Sequence, residues 1–137
     1  MEFTSVYELK HAFYAFIVLY DLLYERTLEQ SISHKKMPTI EEHKEFVASH
    51  PYREWHLICI DALIVGAIYL TKNNEIGIGI LEHSKGHGYG KQAVKMLIDM
   101  HQGERLLANI NPANEASIKM FEGLGFKLIQ QTYELNT

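Results

Sequence analysis

Lys85-Gly86-His87-Gly88-Tyr89-Gly90 joins a stretch of strand character, Glu75 to Glu82, to a stretch of helical character that begins at Lys91. Glycines at alternate positions open backbone conformations closed to other residues and keep side chains away from any group that must approach the main chain. The helix that follows offers free N–H groups in its first turn and the positive end of its dipole, so the junction suits a pyrophosphate. Two commoner glycine-rich loops fail on spacing. A dinucleotide fingerprint counted from Gly86 needs a third glycine where Lys91 stands, and it normally opens a domain that continues well beyond it. A nucleotide P-loop ending in Gly90-Lys91 needs glycine at Lys85 and Ser or Thr at Gln92.

Working outward from this loop, Ala93, Val94, Leu97 and Ile98 form an apolar helix face, with a stop expected near Gly103. Arg105 to Ile110 reads as a strand and Asn114 to Leu124 as a helix burying Ile118, Phe121 and Leu124. A last strand is expected from Phe126 toward Glu134. On the other side, Arg53 to Asp61 carries Trp55, Leu57 and Cys59 on one face and His56, Ile58 and Ile60 on the other, so both faces of that strand are covered. Ala62 to Thr71 gives a second strand, and the Lys72-Asn73-Asn74 turn leads into the third member of an antiparallel meander. On that third strand Ile76, Ile78 and Ile80 share one face, and Gly77, Gly79 and Leu81 the other. Glycines within a strand mark a bulge or a close approach, and the adjacent loop favours a ligand as what approaches.

Toward the N-terminus, Glu2 to Val6 is a candidate short strand. Phe13, Phe16, Ile17, Tyr20, Leu23 and Tyr24 make a helical stripe, predicting a helix from Tyr7 to Leu28. Core packing is the plain reading of this stripe; the sharper one has Tyr20 or Tyr24 lining an acceptor pocket. Thr39 and Glu42 form a capping box for a short helix through Phe46 and Val47, closed before Pro51. Helices around a mixed, mainly antiparallel central sheet place the chain in the α+β class, as one domain over residues 1–137.

The composition, 47% hydrophobic with 13 Lys+Arg against 17 Asp+Glu and a net charge of -4, supplies no basic stripe for nucleic acid. The single Cys59 excludes an internal disulfide, and the acidic Met1-Glu2 start gives no sign of a signal peptide, so the cytoplasm is the expected compartment. His11 to Tyr20, the longest charge-free apolar stretch near the N-terminus, is too short to cross a bilayer, and no membrane partner is expected. His83 and His87 flank glycine rather than helix, and no metal site is expected.

The loop, together with Asn111-Pro112-Ala113-Asn114-Glu115-Ala116-Ser117-Ile118-Lys119-Met120-Phe121-Glu122-Gly123-Leu124-Gly125-Phe126, resembles the GNAT superfamily of acetyl-CoA-dependent N-acetyltransferases. Lys85 to Gly90 fits that family's Gln/Arg-x-x-Gly-x-Gly/Ala pattern with Lys for Arg, and the second block fits its Asn-x-x-Ala/Ser and aromatic-Glu-x-x-Gly-Phe ending. The resemblance implies a GNAT-like sheet and acetyl-CoA as co-substrate. It further implies an amine acceptor, of a small molecule, sugar or peptide. Cofactor contacts are implied along Ile78, Gly79 and Ile80, at the loop residues Lys85, Gly86, His87, Gly88, Tyr89, Gly90 and Lys91, and at Asn114, Ser117 and Phe121. Asn114 also reads as an ordinary helix cap.

N-acetylation requires a neutral amine to attack a thioester, donors for the oxyanion and help for the departing thiolate. Many relatives place a tyrosine acid where Phe121 stands, and some a glutamate base where Asn109 stands; neither residue here transfers a proton. Ser117, one helical turn before Phe121, is a candidate hydrogen-bond donor to the thiolate. His34, Glu75, Glu82 and His83 are candidates on chemical type alone. Two alternatives stay open: another acyl-CoA as donor, and an inactive CoA-binding sensor or interaction module. The acceptor and the oligomeric state, a homodimer among the options, are also open.

Overall fold

A computed structural model describes residues 1–8, 12–26 and 37–136 of the 137. The described elements are β1 (Glu2–Ser5), α1 (Ala12–Glu25), α2 (Ile40–Ala48), β2 (Glu54–Ile60), β3 (Leu63–Leu70) and β4 (Glu75–Ile80). A short 3-10 turn (Glu82–Ser84), α3 (Tyr89–Met100), β5 (Leu107–Ala108) and α4 (Glu115–Gly123) complete them. The five strands form one sheet in chain order. The first four are antiparallel; β5 joins β4 in parallel, the pairing that needs a long crossover, here supplied by α3. The α+β reading with a mixed, mainly antiparallel sheet is what the structure has.

Each face of the sheet carries its own apolar layer because successive strand side chains point to opposite sides. Ile58, Ile68, Leu70 and Ile76 meet Ala93, Val94 and Leu97 of α3 and Phe121 of α4. Trp55, Leu57 and Ala67 meet Val6 and, on α1, Ala15 and Leu19. The alternation read along β2 is therefore correct, with Cys59 packed against the α1 layer. A bulge between Ile58 and Cys59 shifts the β2–β3 register. The strands then turn through Asp61 and Ala62, both at positive φ (46° and 68°), the geometry of a two-residue primed hairpin turn.

Several boundaries differ from expectation. The first helix does not begin at Tyr7: the Tyr7 hydroxyl donates to the Tyr52 carbonyl and accepts from the Tyr52 amide, both at 3.1 Å, which ties that residue to the start of the sheet. Among the described side chains of α1, Ala15 and Leu19 are the buried positions, while Phe16 and Tyr20 of the aromatic stripe lie against His43 of α2, each with ring centroids 5.4 Å apart. Tyr24 is 78% exposed. Small and aliphatic residues let the helix approach the sheet, and Leu22 lies where a side chain on Gly79 would be. The capping box at Thr39 and Glu42 forms as expected. The strand expected over 105–110 pairs only at Leu107 and Ala108. No strand forms from Phe126 to Glu134; Leu128, Ile129, Tyr133 and Leu135 are exposed. An extended segment becomes a strand only when a neighbour accepts its backbone hydrogen bonds, and among the described residues none does so there.

Candidate functional site

The candidate site is a parting between β4 and β5. The Leu81 amide donates to the Val65 carbonyl (2.8 Å) and the Glu75 carbonyl accepts from the Thr71 amide (2.9 Å). By the alternation of an antiparallel ladder, odd-numbered residues of β4 therefore direct their backbone groups to β3, and Ile76, Ile78 and Ile80 direct theirs the other way. Ile76 finds Ala108 of β5; beyond that rung no β4–β5 pair is formed. The backbone groups of Ile78 and Ile80 thus face a gap, whereas those of Gly79 belong to the β3 ladder, opposite Ala67. β5 cannot follow because the chain turns away, the Asn114 amide donating to the Asn111 carbonyl at 2.9 Å.

At the open end of this gap is the glycine loop. Gly86 and Gly88 sit at φ 84° and 75°, the left-handed region that only glycine enters without strain, and a Cβ on either would meet nothing within 4 Å. Gly88 caps α3 without a side-chain hydrogen bond. The first helical bond runs from the Gln92 amide to the Gly88 carbonyl, so the amides of Tyr89, Gly90 and Lys91 are the free donors of the first turn. The helix starts two residues earlier than expected, drawing Tyr89 and Gly90 out of the loop and into the first turn of α3. Lys85 pairs with Glu82 at 3.0 Å, and His87 stacks on Tyr89. The loop's approach is braced by Glu25 at the end of α1, whose carboxylate accepts from the Glu82 amide at 2.9 Å. Sequence reading missed Glu25, which carries no motif signal.

At the closed end, Glu75 is held on both sides: Oε1 accepts from the Thr71 hydroxyl (3.1 Å) and Oε2 from the Asn109 side-chain amide (2.5 Å). Glu75 and Gly77 lie on the α1 side of the sheet. Over Gly77 lies Tyr69, opposite it in register; a Cβ on Gly77 would sit 1.9 Å from the Tyr69 Cζ and 2.3 Å from its hydroxyl oxygen. Tyr69 stacks on Tyr52 with centroids 3.9 Å apart. Burial pushes the Tyr52 hydroxyl well above the ordinary tyrosine range, helped by the neighbouring Tyr69. Tyr69 and Leu22 of the protein itself thus come close to the two strand glycines.

The remaining candidates are scattered. Asn114 is a helix cap, its Oδ1 accepting from the Ser117 amide at 3.2 Å. Ser117 is half-buried on α4. Phe121 is 3% exposed and packs edge-on against Phe126 inside the α3 and α4 layer, so it presents almost no surface to a ligand. His83 Nδ1 lies 2.7 Å from the Ser84 hydroxyl. His34 lies outside the described residues. Among the described residues no group of three or more His, Cys, Asp and Glu side chains has metal-binding geometry, and no helix is long and apolar enough to cross a membrane.

A family model described as an acetyltransferase (GNAT) domain matches residues 19–127. No curated protein matches the chain. Among solved structures, a ribosomal-protein-alanine N-acetyltransferase from Brucella melitensis aligns with TM-score 0.67 and 17% identity, over 93% of this chain and 85% of that one. A mutant form of the spermidine/spermine N-acetyltransferase from Vibrio cholerae aligns with TM-score 0.69 and 13% identity, over 92% and 78%. A putative acetyltransferase from Salmonella typhimurium, solved with its cofactor acetyl-CoA, aligns with TM-score 0.64 and 15% identity, over 92% and 80%. At such identities the likeness establishes the fold.

Proposed function

The chain belongs to the GNAT acetyltransferase family, and from that premise we propose that it moves the acetyl group of acetyl-CoA to a primary amine of a small molecule, sugar or peptide, by direct attack in a ternary complex. The observation that carries this reading is the parting of β4 from β5 after the Ile76–Ala108 rung, with an anion-binding loop at one end and a held carboxylate at the other. Ile80 lies four residue steps beyond Ile76, roughly 13 Å of strand. A pyrophosphate on the amides of Gly86 to Lys91 then lets the arm of CoA run down the gap toward Glu75.

Acetyl-CoA supplies an activated thioester; the chain's own groups do the rest. The backbone groups of Ile78 and Ile80 hold the arm and polarise the carbonyl. Asn114 and Ser117 at the start of α4 are assigned further contacts with the cofactor, though the Asn114 side-chain oxygen is already engaged as a cap. Glu75 takes the proton that the amine loses as it attacks. Hydrogen bonds from Thr71 and Asn109 keep its carboxylate oriented for that purpose. The acceptors named for two of the structural neighbours, a protein alanine and spermidine or spermine, are both amines, which is the support for an amine here.

The test is thermal melting with acetyl-CoA and with NAD as control, followed by thiol release with a panel of amines. A ligand at about a hundred times its dissociation constant stabilises a fold by roughly 2.7 kcal/mol, a shift of several degrees in a domain of this size. A shift with acetyl-CoA alone, and turnover with an amine, are the expected results. No shift at saturating acetyl-CoA would overturn the reading.

A further inference from the structure

A thiolate leaving the tetrahedral intermediate has to gain a proton, and the position from which many relatives supply it is occupied here by Phe121, which has none to give and is buried. On the opposite side of the sheet, the Tyr69 hydroxyl occupies the space above Gly77, which only glycine leaves open. Gly77 follows the last β4–β5 rung at Ile76 by one residue, so the hydroxyl stands where the gap begins. Glu75 lies two residues earlier on the same face, roughly 7 Å along the strand. A carboxylate and a hydroxyl thereby lie on one face of the sheet, close to the point where β4 and β5 part.

We infer that Tyr69 is the general acid of the transfer, its hydroxyl protonating the thiolate at the closed end of the gap. The inference rests on the acetyltransferase reading above. The amine nitrogen attacks the thioester carbonyl carbon, forming the C–N bond, and the carbonyl electrons move to oxygen. Glu75 takes the proton from nitrogen. As the oxyanion collapses the C–S bond breaks, and the sulfur takes its proton from Tyr69. The proton on Glu75 then returns to the Tyr69 oxygen, directly or through water, leaving amide, free thiol and both side chains as they began. Two features favour Tyr69 in this role. Its ring is fixed by the stack on Tyr52 and an edge contact with Trp55, so the hydroxyl needs little ordering. The neighbouring Tyr52 keeps its own proton, and so can donate a hydrogen bond to the Tyr69 oxygen when that oxygen has given its proton up.

The experiment compares wild type, Tyr69→Phe and Ser117→Ala by acetyl-CoA-induced melting shift and by thiol release. The acceptors are spermidine, a peptide beginning with alanine, glucosamine and, for uncoupled hydrolysis, water. Tyr69→Phe retains the ring stack, and is expected to keep the melting shift and the KM for acetyl-CoA while losing about 10²- to 10⁴-fold in kcat. It should also lose the alkaline fall in kcat that marks an acid required in its protonated form. Undiminished release by Tyr69→Phe, or a loss confined to Ser117→Ala, overturns the assignment alone. A Tyr69→Phe protein that no longer gains stability from acetyl-CoA marks a structural role and also overturns it. No release by wild type with any acceptor overturns both the assignment and the reading beneath it.

Discussion

The Asn109 side-chain amide donates to the Glu75 carboxylate across the last rung where β4 and β5 are joined, at 2.5 Å. This bond fixes the carboxylate at the point where the two strands part. Glu75→Gln, nearly the same shape, is expected to lower kcat by roughly 10²- to 10⁴-fold with little change in the acetyl-CoA-induced melting shift. Thiol-release kinetics check this, and full activity in the variant would remove Glu75 from the mechanism.

Gly77 has no room for a side chain, since its Cβ would lie 1.9 Å from the Tyr69 ring. Gly77→Ala is expected to push the ring from its stack on Tyr52 and to cost about 1–3 kcal/mol. Thermal melting reads the cost. An alanine variant as stable as wild type would show that the ring has another place to go.

Gly88 combines φ 75° with open space around it. Gly88→Ala is therefore expected to cost only the backbone term, about 1–2 kcal/mol. Because the strain falls on the residue that caps α3, weaker acetyl-CoA binding should accompany it, and titration calorimetry would show both wild-type affinity and its loss. Unchanged affinity would move the pyrophosphate away from this turn.

Glu104 bonds Arg53 at 2.9 Å and His101 at 2.6 Å. Its carboxyl is held below the usual carboxylate range, first by the Arg53 hydrogen bond and then by His101. A carboxylate whose folded pKa is depressed stabilises the fold above its unfolded pKa, and that contribution is lost as pH falls through the folded value. The stability difference between wild type and Arg53→Met should therefore be present near neutrality and shrink below about pH 4.5. A difference that stayed constant down to pH 3 would contradict the linkage.

His43 is 3% exposed between α2 and α1, and burial pushes its pKa below the ordinary histidine value. With the folded pKa depressed, the unfolded chain takes up the proton first, so stability falls as pH drops below about 6.5. His43→Leu should flatten the melting temperature between roughly pH 7 and 5. A histidine-independent slope over that range would place the titrating group elsewhere.

The sequence by itself determined the order of the elements that form, the α+β class, the glycine turn before α3 and the family resemblance, because each depends on residues close together in the chain. Alternation over Arg53 to Ile80 gave the meander, Thr39 and Glu42 gave a cap, and the glycines at 86 and 88 stand at the left-handed positions a turn demands. What depends on pairing at a distance was beyond it. Whether Phe126 to Glu134 becomes a strand rests on a neighbouring edge, and whether Gly77 and Gly79 admit a ligand or a side chain rests on where Tyr69 and Leu22 land. The carboxylate at 75 was one candidate among several by chemical type, and Tyr69 was none. Only the register of β3 with β4, which sets Tyr69 over Gly77, and the parting of β4 from β5 after Ile76 bring the two near the same point of the sheet, because sheet register is set by contacts between residues far apart in sequence.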